Sequence, residues 1–283
     1  MKPPPFTYYR PENRSEVDSL LAELGSDAKI LAGGQSLVPI LNMRLAQPQH
    51  VIDINHLGEE SSEPTVNNGY LSFATLVRQH VIETSDSVAE RVPLLTDVID
   101  FVAHPAIRSR GTVVGSVAHA DPAAELPAAL VALDGEIVAR GKEGRRVIPA
   151  GEFYAGPFEN TLTGTEWVEE VRWPVARPGE GYAFDEFARR RGDYALCGVA
   201  AVAEKQGDEA TVALTYLGMG EKPVRLQTES VAEPDIEEAV ATLVHEHLLP
   251  GDDVHAGAGF RMHLARVLGA KAARRALASA SES

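Results

Sequence analysis

The sequence predicts an α+β fold that carries two cofactor-sized loops in its first part. Two observations indicate this fold. Short strand patterns alternate with helical patterns up to about residue 176, and three successive strand patterns followed by two helices come after it. The glycine- and proline-containing stretch Pro178–Gly181 lies between the two parts. We therefore expect one domain at 1–176, with subdomains at about 1–57 and 58–176, and a second domain at 177–283.

The first subdomain reads as a compact β-loop-α-β unit. Ser15 is a candidate N-cap for a helix that carries apolar residues at helical spacing and ends before Gly25. The strand pattern KILA follows, and a loop with two adjacent glycines comes next. A helical turn beginning near Pro39 and a second strand at His50–Ile54 complete the unit.

The second subdomain alternates strands and helices around a second turn-rich segment. YLSFATLV begins as a strand, and Arg91–Ala103 reads as a helix. The turn-rich segment His104–Arg140 contains the helical stretch AELPAALVAL and ends in the strand EIVAR, which a glycine turn separates from the strand RRVIPA. Thr165–Val175 alternates like a strand, and Pro174 marks its end.

The last part of the chain predicts an antiparallel meander with helices. GYAFDEFARR, YALCGVAAVAEK and EATVALTYLGMG read as consecutive strands, and the last two are joined by the short turn Gln206–Asp208. Two helical patterns, DIEEAVATLVHEHLL and GFRMHLARVLGAKAARRALA, close the chain.

Charge and cysteine content exclude several classes of protein. The formal net charge is -15, and a nucleic-acid partner would need a basic face, so none is expected. The single cysteine, Cys197, excludes an internal disulfide or an iron–sulfur cluster held by this chain, and its apolar setting favours a buried, inert thiol. His245 and His247 point to different faces of a predicted helix, so we expect no metal site.

The sequence predicts neither a membrane span nor a secretion signal. No apolar run approaches the roughly 18 residues that a spanning helix needs. The N-terminal stretch MKPPPFTYYRPEN lacks the apolar core of a signal peptide. We therefore expect a cytoplasmic protein.

The stretch AGGQSLVP, Ala32–Pro39, is the first candidate binding feature. Adjacent glycines lack the Cβ that would obstruct a ligand, and consecutive N–H groups in such a loop can converge on an anion. Gln35 and Ser36 add polar side chains, so pyrophosphate is the natural ligand, although a plain structural turn explains the same residues. Neither G-x-G-x-x-G opening a helix nor G-x-x-x-x-G-K-[ST] is present, so a Rossmann unit and a P-loop are not supported.

A second loop, RSRGTVVGSVAHADPAAELP, again places Gly, Thr and Ser together. Together the two loops resemble the paired signatures A-G-G-x-S-L-x-P and T-[IV]-G-G-[NSD]-x-x-H-x-D-P. These signatures are typical of the FAD-binding medium subunits of the molybdenum hydroxylases, the carbon monoxide dehydrogenase and xanthine dehydrogenase group. PAGEFYAGPFENTLTGTEWVEEVRWP, FARRRGDYALCGVAAVA and DDVHAGAGFRMHLARVL resemble later segments of the family. The resemblance covers essentially the whole chain.

The resemblance implies a two-subdomain FAD-binding domain of the PCMH type, followed by a C-terminal flavoprotein domain. It puts the FAD diphosphate against the first loop, where a Cβ at Gly33 would intrude, and the flavin and its linker near the second. Glu125 would accept a hydrogen bond from a cofactor hydroxyl. Leu162 would pack near the ring system or the adenine. Tyr194 would cover one flavin face, or is simply an aromatic at the start of a core strand. The implied cofactor-binding residues are Ala32, Gly33, Gly34, Gln35, Ser36, Gly111, Thr112, Gly115, Ser116, Glu125, Leu162 and Tyr194.

The second loop departs from the family signature at one position. Val114 stands where the pattern has glycine, and a β-branched residue strongly disfavours positive φ. Either φ is negative at this position, or the backbone shifts and the contact with FAD weakens.

The resemblance also implies electron transfer through FAD. In the family, a large subunit hydroxylates the substrate at a molybdopterin centre, and a small subunit holds two [2Fe–2S] clusters. We expect both as partners, in a dimer of heterotrimers, and no catalytic residue for the organic substrate in this chain. The alternatives are an FAD- or nucleotide-binding module without redox turnover and a self-contained FAD oxidase. The arginines at 189–191 predict either a contact with an acidic partner subunit or a solvated strand edge.

Overall fold

The computed structural model describes residues 2–57 and 62–280, which form three sheets of three or more strands, one two-stranded sheet and the helices packed on them. The predicted α+β class is confirmed. The predicted boundary between the subdomains, at 57/58, adjoins residues 58–61, which lie outside the described residues.

The first sheet is parallel and has the strand order β1-β3-β2. Its elements are β1 (Thr7–Tyr9), α1 (Arg14–Leu24), β2 (Ala28–Leu31), α2 (Leu37–Asn42) and β3 (His50–Asp53). The predicted β-loop-α-β unit is therefore present. Because β2 and β3 run in the same direction, the residues that follow them meet at one edge of the sheet.

The N-cap prediction for α1 is wrong by two residues. Asn13, not Ser15, caps the helix: its Oδ1 accepts the N–H of Glu16 at 3.0 Å. The Glu16 carboxylate in turn accepts the N–H of Glu12 at 2.9 Å, which makes a reciprocal cap around the first turn. Asn and Ser are about equally good N-caps, so the local pattern alone did not distinguish them.

The second sheet is antiparallel and has the order β4-β5-β10-β6-β7. Its strands are β4 (Thr65–Asn67), β5 (Tyr70–Ala74), β6 (Glu136–Gly141), β7 (Gly144–Pro149) and β10 (Glu166–Pro174). The helices between them are α3 (His80–Thr84), α4 (Asp86–Arg91), α5 (Pro93–Ile99), α6 (Pro105–Arg108), α7 (Val113–His119), α8 (Glu125–Ala132) and α9 (Ala150–Phe153). A short hairpin, β8 (Tyr154–Gly156) and β9 (Glu159–Asn160), follows α9.

The helix predicted at Arg91–Ala103 is present, but only over Pro93–Ile99. Helix α4 ends at Arg91, and α5 begins at Pro93 and ends at Ile99. Val92 between them has φ -138° and ψ 68°, because proline disfavours helical backbone at the residue before it while suiting the first turn of a new helix.

The third sheet is the antiparallel meander that the sequence predicts. Its strands are β11 (Glu180–Phe187), β12 (Cys197–Gln206), β13 (Glu209–Leu217), β14 (Val224–Gln227) and the short β15 (Val231–Ala232). Helices α10 (Ile236–His247) and α11 (Ala258–Ala280) pack on this sheet around buried Tyr216, Val240 and Ala272. Residues 188–196, between β11 and β12, are a loop rather than a continuation of either strand.

Candidate functional site

The first glycine loop follows β2, at the edge of the parallel sheet where β3 also ends. Ala32–Ser36 leads directly into α2, and all five residues are half-buried. Gly34 has φ +72°, a conformation that favours glycine. The Gln35 side chain donates from Nε2 to the carbonyl of Gly33 at 2.9 Å, so it braces the loop instead of projecting freely towards a ligand.

The backbone donors of this loop suit an anion. Within residues 2–57 and 62–280, the N–H groups of Gly33, Gly34 and Ser36 have no hydrogen-bond partner. A loop that leaves successive N–H groups unpaired is stabilised by an anion that accepts from them. The donor set therefore fits the diphosphate that the sequence predicts there.

The second loop is shorter than the sequence suggests, because half of its predicted residues are helical. Gly111 and Thr112 precede α7, whereas Gly115 and Ser116 lie inside it. Thr112 is the N-cap, and its Oγ1 accepts the N–H of Gly115 at 3.0 Å. The feature at this point is thus a capped helix start.

Val114 lies in α7, where φ is negative, and only 2% of its surface is exposed. Of the two alternatives for this departure from the family signature, the negative φ is therefore correct. The valine side chain belongs to the core, whereas its N–H has no partner within the described part of the chain. A backbone N–H does not depend on the side chain, so valine at this position supplies the same donor that glycine would.

The two loops touch each other. A Cβ added to Gly33 would stand 2.6 Å from the carbonyl oxygen of Arg110 and 2.8 Å from Cα of Gly111. The expectation that this Cβ would intrude on the diphosphate therefore needs correction, because it would first collide with the backbone of the second loop. Glycine at position 33 lets the loops approach each other.

Two residues that the sequence reasoning missed also connect the loops. Asn55 follows β3 and binds the first loop, and Arg78 binds both Asn55 and the second loop. Nothing in the stretch ATLVRQH singles out this arginine. The one available signal is positional, since Asn55 directly follows a strand that ends beside the first loop.

Glu125 is the first residue of α8, and 8% of its surface is exposed. Burial raises the pKa of Glu125 to about 7, and the charge of Asp121 adds to the increase. Burial likewise raises the pKa of Glu186, on β11, to about 9, with a further contribution from Glu125. Near neutral pH, Glu125 is thus both a hydrogen-bond donor and an acceptor, whereas the sequence predicts only an acceptor.

Tyr194 lies in the loop before β12, and 69% of its surface is exposed. The reading of Tyr194 as an aromatic at the start of a core strand is therefore wrong. Partial burial raises the pKa of Tyr194, and the charges of Asp121 and Glu125 raise it further. The ring is available to cover a flat ligand.

Leu162 is half-buried and is tied to α7 through one intermediate residue. Its N–H donates to Oδ1 of Asn160 at 3.1 Å, and Nδ2 of Asn160 donates to the carbonyl of Ala118 at 2.8 Å. Leu162 is therefore connected to the C-terminal end of α7, whereas the capped start lies at the other end of the same short helix.

Other features of the described residues indicate no second reaction centre. Cys197 is buried, and burial raises the pKa of its thiol to about 12. Among residues 2–57 and 62–280, no group of three or more His, Cys, Asp or Glu side chains is placed to hold a metal ion. No helix in the same ranges is long and apolar enough to cross a membrane.

A cavity of about 570 Å³ opens between α1 and the β6–β7 turn, away from both loops. Its arginines are engaged in ion pairs: Nη2 of Arg140 lies 2.8 Å from Asp18, and Nε of Arg145 lies 2.5 Å from Glu169. The network joins the two subdomains, and we assign it a structural role.

Comparison with known proteins agrees with this geometry. The family model described as the FAD binding domain in molybdopterin dehydrogenase matches residues 4–176, and the CO dehydrogenase flavoprotein C-terminal domain matches residues 182–276. The fold and the loops thus define an FAD-binding flavoprotein.

Individual relatives match over 80% of the chain or more. The 6-hydroxypseudooxynicotine dehydrogenase complex subunit alpha of Paenarthrobacter nicotinovorans is 37% identical over 95% of this chain and 93% of its own. The caffeine dehydrogenase subunit beta of a Pseudomonas species is 39% identical over 80% of this chain and 77% of its own. A solved carbon monoxide dehydrogenase from Hydrogenophaga pseudoflava superposes with a TM-score of 0.92 at 31% identity, over 99% of each chain. The chain belongs to the family of FAD-binding medium subunits of molybdenum hydroxylases, as the sequence predicts.

Proposed function

We propose that the chain carries electrons from the [2Fe–2S] clusters of a partner subunit, through its FAD, to a terminal acceptor. The observation that carries this proposal is the match of both family domains in a chain whose only cysteine is buried. A redox subunit that cannot hold a cluster itself must receive electrons from outside. FAD suits this role because it exchanges electrons singly or in pairs.

The residues have the following proposed roles. The N–H groups of the first loop hold the diphosphate, and the start of α7 supports the linker and the flavin. Glu125 binds a cofactor hydroxyl, and Leu162 and Tyr194 enclose the ring system. We propose that residues 1–176 form the FAD-binding domain and that residues 177–283 form the second domain. These residues position the cofactor, and none of them acts on the organic substrate.

The proposed partners are a large molybdopterin-binding subunit and a small [2Fe–2S] subunit, assembled as a dimer of heterotrimers in the cytoplasm. A stable docking surface buries on the order of 1,000 Å² or more. Arg190 and Arg191 are exposed in the β11–β12 loop, whereas Arg189 donates to the carbonyl of His255 at 2.9 Å. We propose the two exposed arginines as part of the docking surface, facing acidic groups of a partner.

The test is anaerobic reduction of the bound flavin. The FAD-loaded chain is mixed with its reduced [2Fe–2S] partner, and the visible flavin band is followed. We expect bleaching with the partner, and none when an organic substrate is added to the chain alone. Bleaching by an organic substrate in the absence of partners would support a self-contained oxidase and contradict the proposal.

A binding module without redox turnover would be favoured if Val114 weakened the contact with FAD. Val114 lies in a helix with negative φ, and its N–H has no partner among the residues that the structure describes, so nothing at this position favours that alternative.

A further inference from the structure

We propose that Arg78 is a positioning residue which, together with Asn55, fixes the spacing and orientation of the two loops that hold the FAD diphosphate. The proposal rests on the proposed role of these loops. It concerns neither a contact with FAD nor the overall fold, but the geometry of the donors that the cofactor meets.

The arginine joins the loops through two nitrogens of one planar group. Nη1 of Arg78 donates to the carbonyl of Arg110, at the second loop, at 2.5 Å. Nη2 donates to Oδ1 of Asn55 at 2.8 Å, and Nδ2 of Asn55 donates to the carbonyl of Ala32, at the first loop, at 2.7 Å. Because the guanidinium is rigid and planar, these bonds fix the distance between the two loops.

Both ends of the connection are anchored on regular structure. The Asn55 amide and backbone N–H both donate to Oδ1 of Asp53, at 2.7 and 3.0 Å, and Asp53 ends β3. The hydroxyl of Tyr8, on β1, donates to Oδ2 of the same carboxylate at 2.6 Å. The first anchor is therefore the edge of the parallel sheet.

The second anchor is a β-bridge between Arg78 and Thr112. The N–H of Gln79 donates to the carbonyl of Gly111 at 2.9 Å, and the N–H of Val113 donates to the carbonyl of Val77 at 3.0 Å. These bonds hold the arginine backbone against the second loop, so the side chain has a fixed starting point from which to reach the first.

The connection also orients the donor of the first loop. In a trans peptide unit the C=O and the N–H point in opposite directions, and the structure contains no cis peptide bond among its described residues. Binding the Ala32 carbonyl to Asn55 therefore turns the N–H of Gly33 away from Asn55. That N–H is one of the donors that have no partner in the described part of the chain and that suit the diphosphate.

Arg78 holds Asn55 in this role. An amide side chain can rotate by half a turn and exchange its oxygen and nitrogen. The guanidinium is compatible with only one of these arrangements, because it donates and therefore requires the amide oxygen. The amide nitrogen is then directed at Ala32. Removal of Arg78 takes away the donor to the Asn55 oxygen, so the amide is then held only through its nitrogen, by Asp53 and Ala32.

A simpler alternative is that Arg78 only supplies positive charge near the diphosphate. The two accounts differ for Arg78→Lys, which keeps the charge but lacks the planar pair of donors. If the hydrogen-bonded connection between the loops is required, lysine does not restore FAD binding. If only the charge matters, lysine restores it.

The experiment measures the Kd of the full chain for FAD, ADP and riboflavin by calorimetry or fluorescence titration. The variants are Arg78→Met, Arg78→Lys, Asn55→Ala and the Arg78→Met/Asn55→Ala double variant. Arg275→Met, which removes an arginine bonded to the carbonyl of Phe184 in the other domain, is the matched control. Unfolding temperature and circular dichroism report folding for every variant.

We expect Arg78→Met to weaken FAD and ADP binding by about tenfold or more, because this is the typical effect of losing a hydrogen bond from a charged group. Riboflavin, which has no phosphate, is expected to bind as it does to the wild type. Asn55→Ala should weaken FAD binding similarly, and the double variant should be no weaker than either single one, because both substitutions break one connection. Arg78→Lys should stay close to Arg78→Met, and Arg275→Met should bind normally.

Several results would overturn the proposal. The first is wild-type affinity for FAD in Arg78→Met or in Arg78→Lys. The others are an equal loss of affinity for ADP and riboflavin, fully additive losses of FAD affinity in the double variant, and an equal loss of FAD affinity in Arg275→Met. If Arg78→Met does not fold, Arg78→Lys and Asn55→Ala decide the matter. A wild-type chain that binds no FAD would contradict the proposed function itself, and this proposal with it.

Discussion

Replacing Gly33 by alanine tests whether the two loops must touch. The added Cβ would lie 2.6 Å from the carbonyl oxygen of Arg110, and ordinary contact begins at 3.4 Å. The loops must therefore move apart by about 0.8 Å, at a point where both sides are backbone and cannot rotate away. Gly33 does not have positive φ, so the effect of alanine is steric and not conformational.

Separation of the loops affects both stability and binding. Overpacking typically costs about 1–3 kcal/mol, and the smaller unfolded-state entropy of alanine offsets about 0.4–1 kcal/mol of this. In a chain of this size, we expect the unfolding temperature to fall by roughly 2–8 °C. The Kd for FAD should rise by about tenfold, which corresponds to about one lost hydrogen bond to a charged group.

The assay is thermal unfolding with and without FAD, combined with an FAD titration. Gly151→Ala is the matched control, because an added Cβ there meets no atom within 4 Å and the residue lies in helix α9. We expect this control to be as stable as the wild type or slightly more so. Wild-type stability and affinity in Gly33→Ala would refute the steric contact between the loops.

Three other substitutions address individual features. Val114→Gly, which the family signature suggests as an improvement, should lower stability by about 2–4 kcal/mol in denaturant unfolding without raising FAD affinity, because it removes a buried side chain from a helix. Because the pKa values of Glu125 and Glu186 are raised on folding, the folded chain binds more protons than the unfolded one, and stability should fall as pH rises from about 4.5 towards about 9. Glu186→Gln should flatten this dependence in melts at several pH values, and an unchanged slope would contradict the burial argument. Tyr194→Ala, at an exposed position, should change stability by less than about 0.5 kcal/mol but weaken FAD binding up to about tenfold if the ring covers the flavin.

The sequence was most informative about local structure. The apolar spacing of α1, the glycine loop after β2 and the three strands of the meander all follow from patterns within about ten residues. Errors occurred where two local signals were equally good, as with Ser15 and Asn13, or where proline divided an apolar run, as at Val92. The resemblance to the family rests on the same local signatures, and it was sufficient to identify the cofactor.

The candidate site was predictable as a set of segments but not as an arrangement. The sequence indicates that Ala32–Ser36 and Gly111–Ser116 are special, yet it does not show that the two segments touch at Gly33. The sequence marks Val114 as a departure from the family signature, but the φ of Val114 depends on where α7 begins. It also assigns Glu125 a role without indicating that Glu125 in turn contributes to the raised pKa of Glu186, on the distant strand β11.

By itself, the sequence therefore determined most of the secondary structure, the family and the two segments that we propose to hold FAD, because these depend on residues that are neighbours along the chain. Only the tertiary structure decided which groups in those segments are free to bind. Asn55 and Arg78 are 23 residues apart, and Arg78 and Arg110 are 32 apart, so no local pattern connects them. They meet because β2 and β3 end at one edge of the parallel sheet and because a β-bridge brings the second loop to that edge. With these elements in place, the N–H groups of Gly33, Gly34 and Ser36 have no partner within residues 2–57 and 62–280.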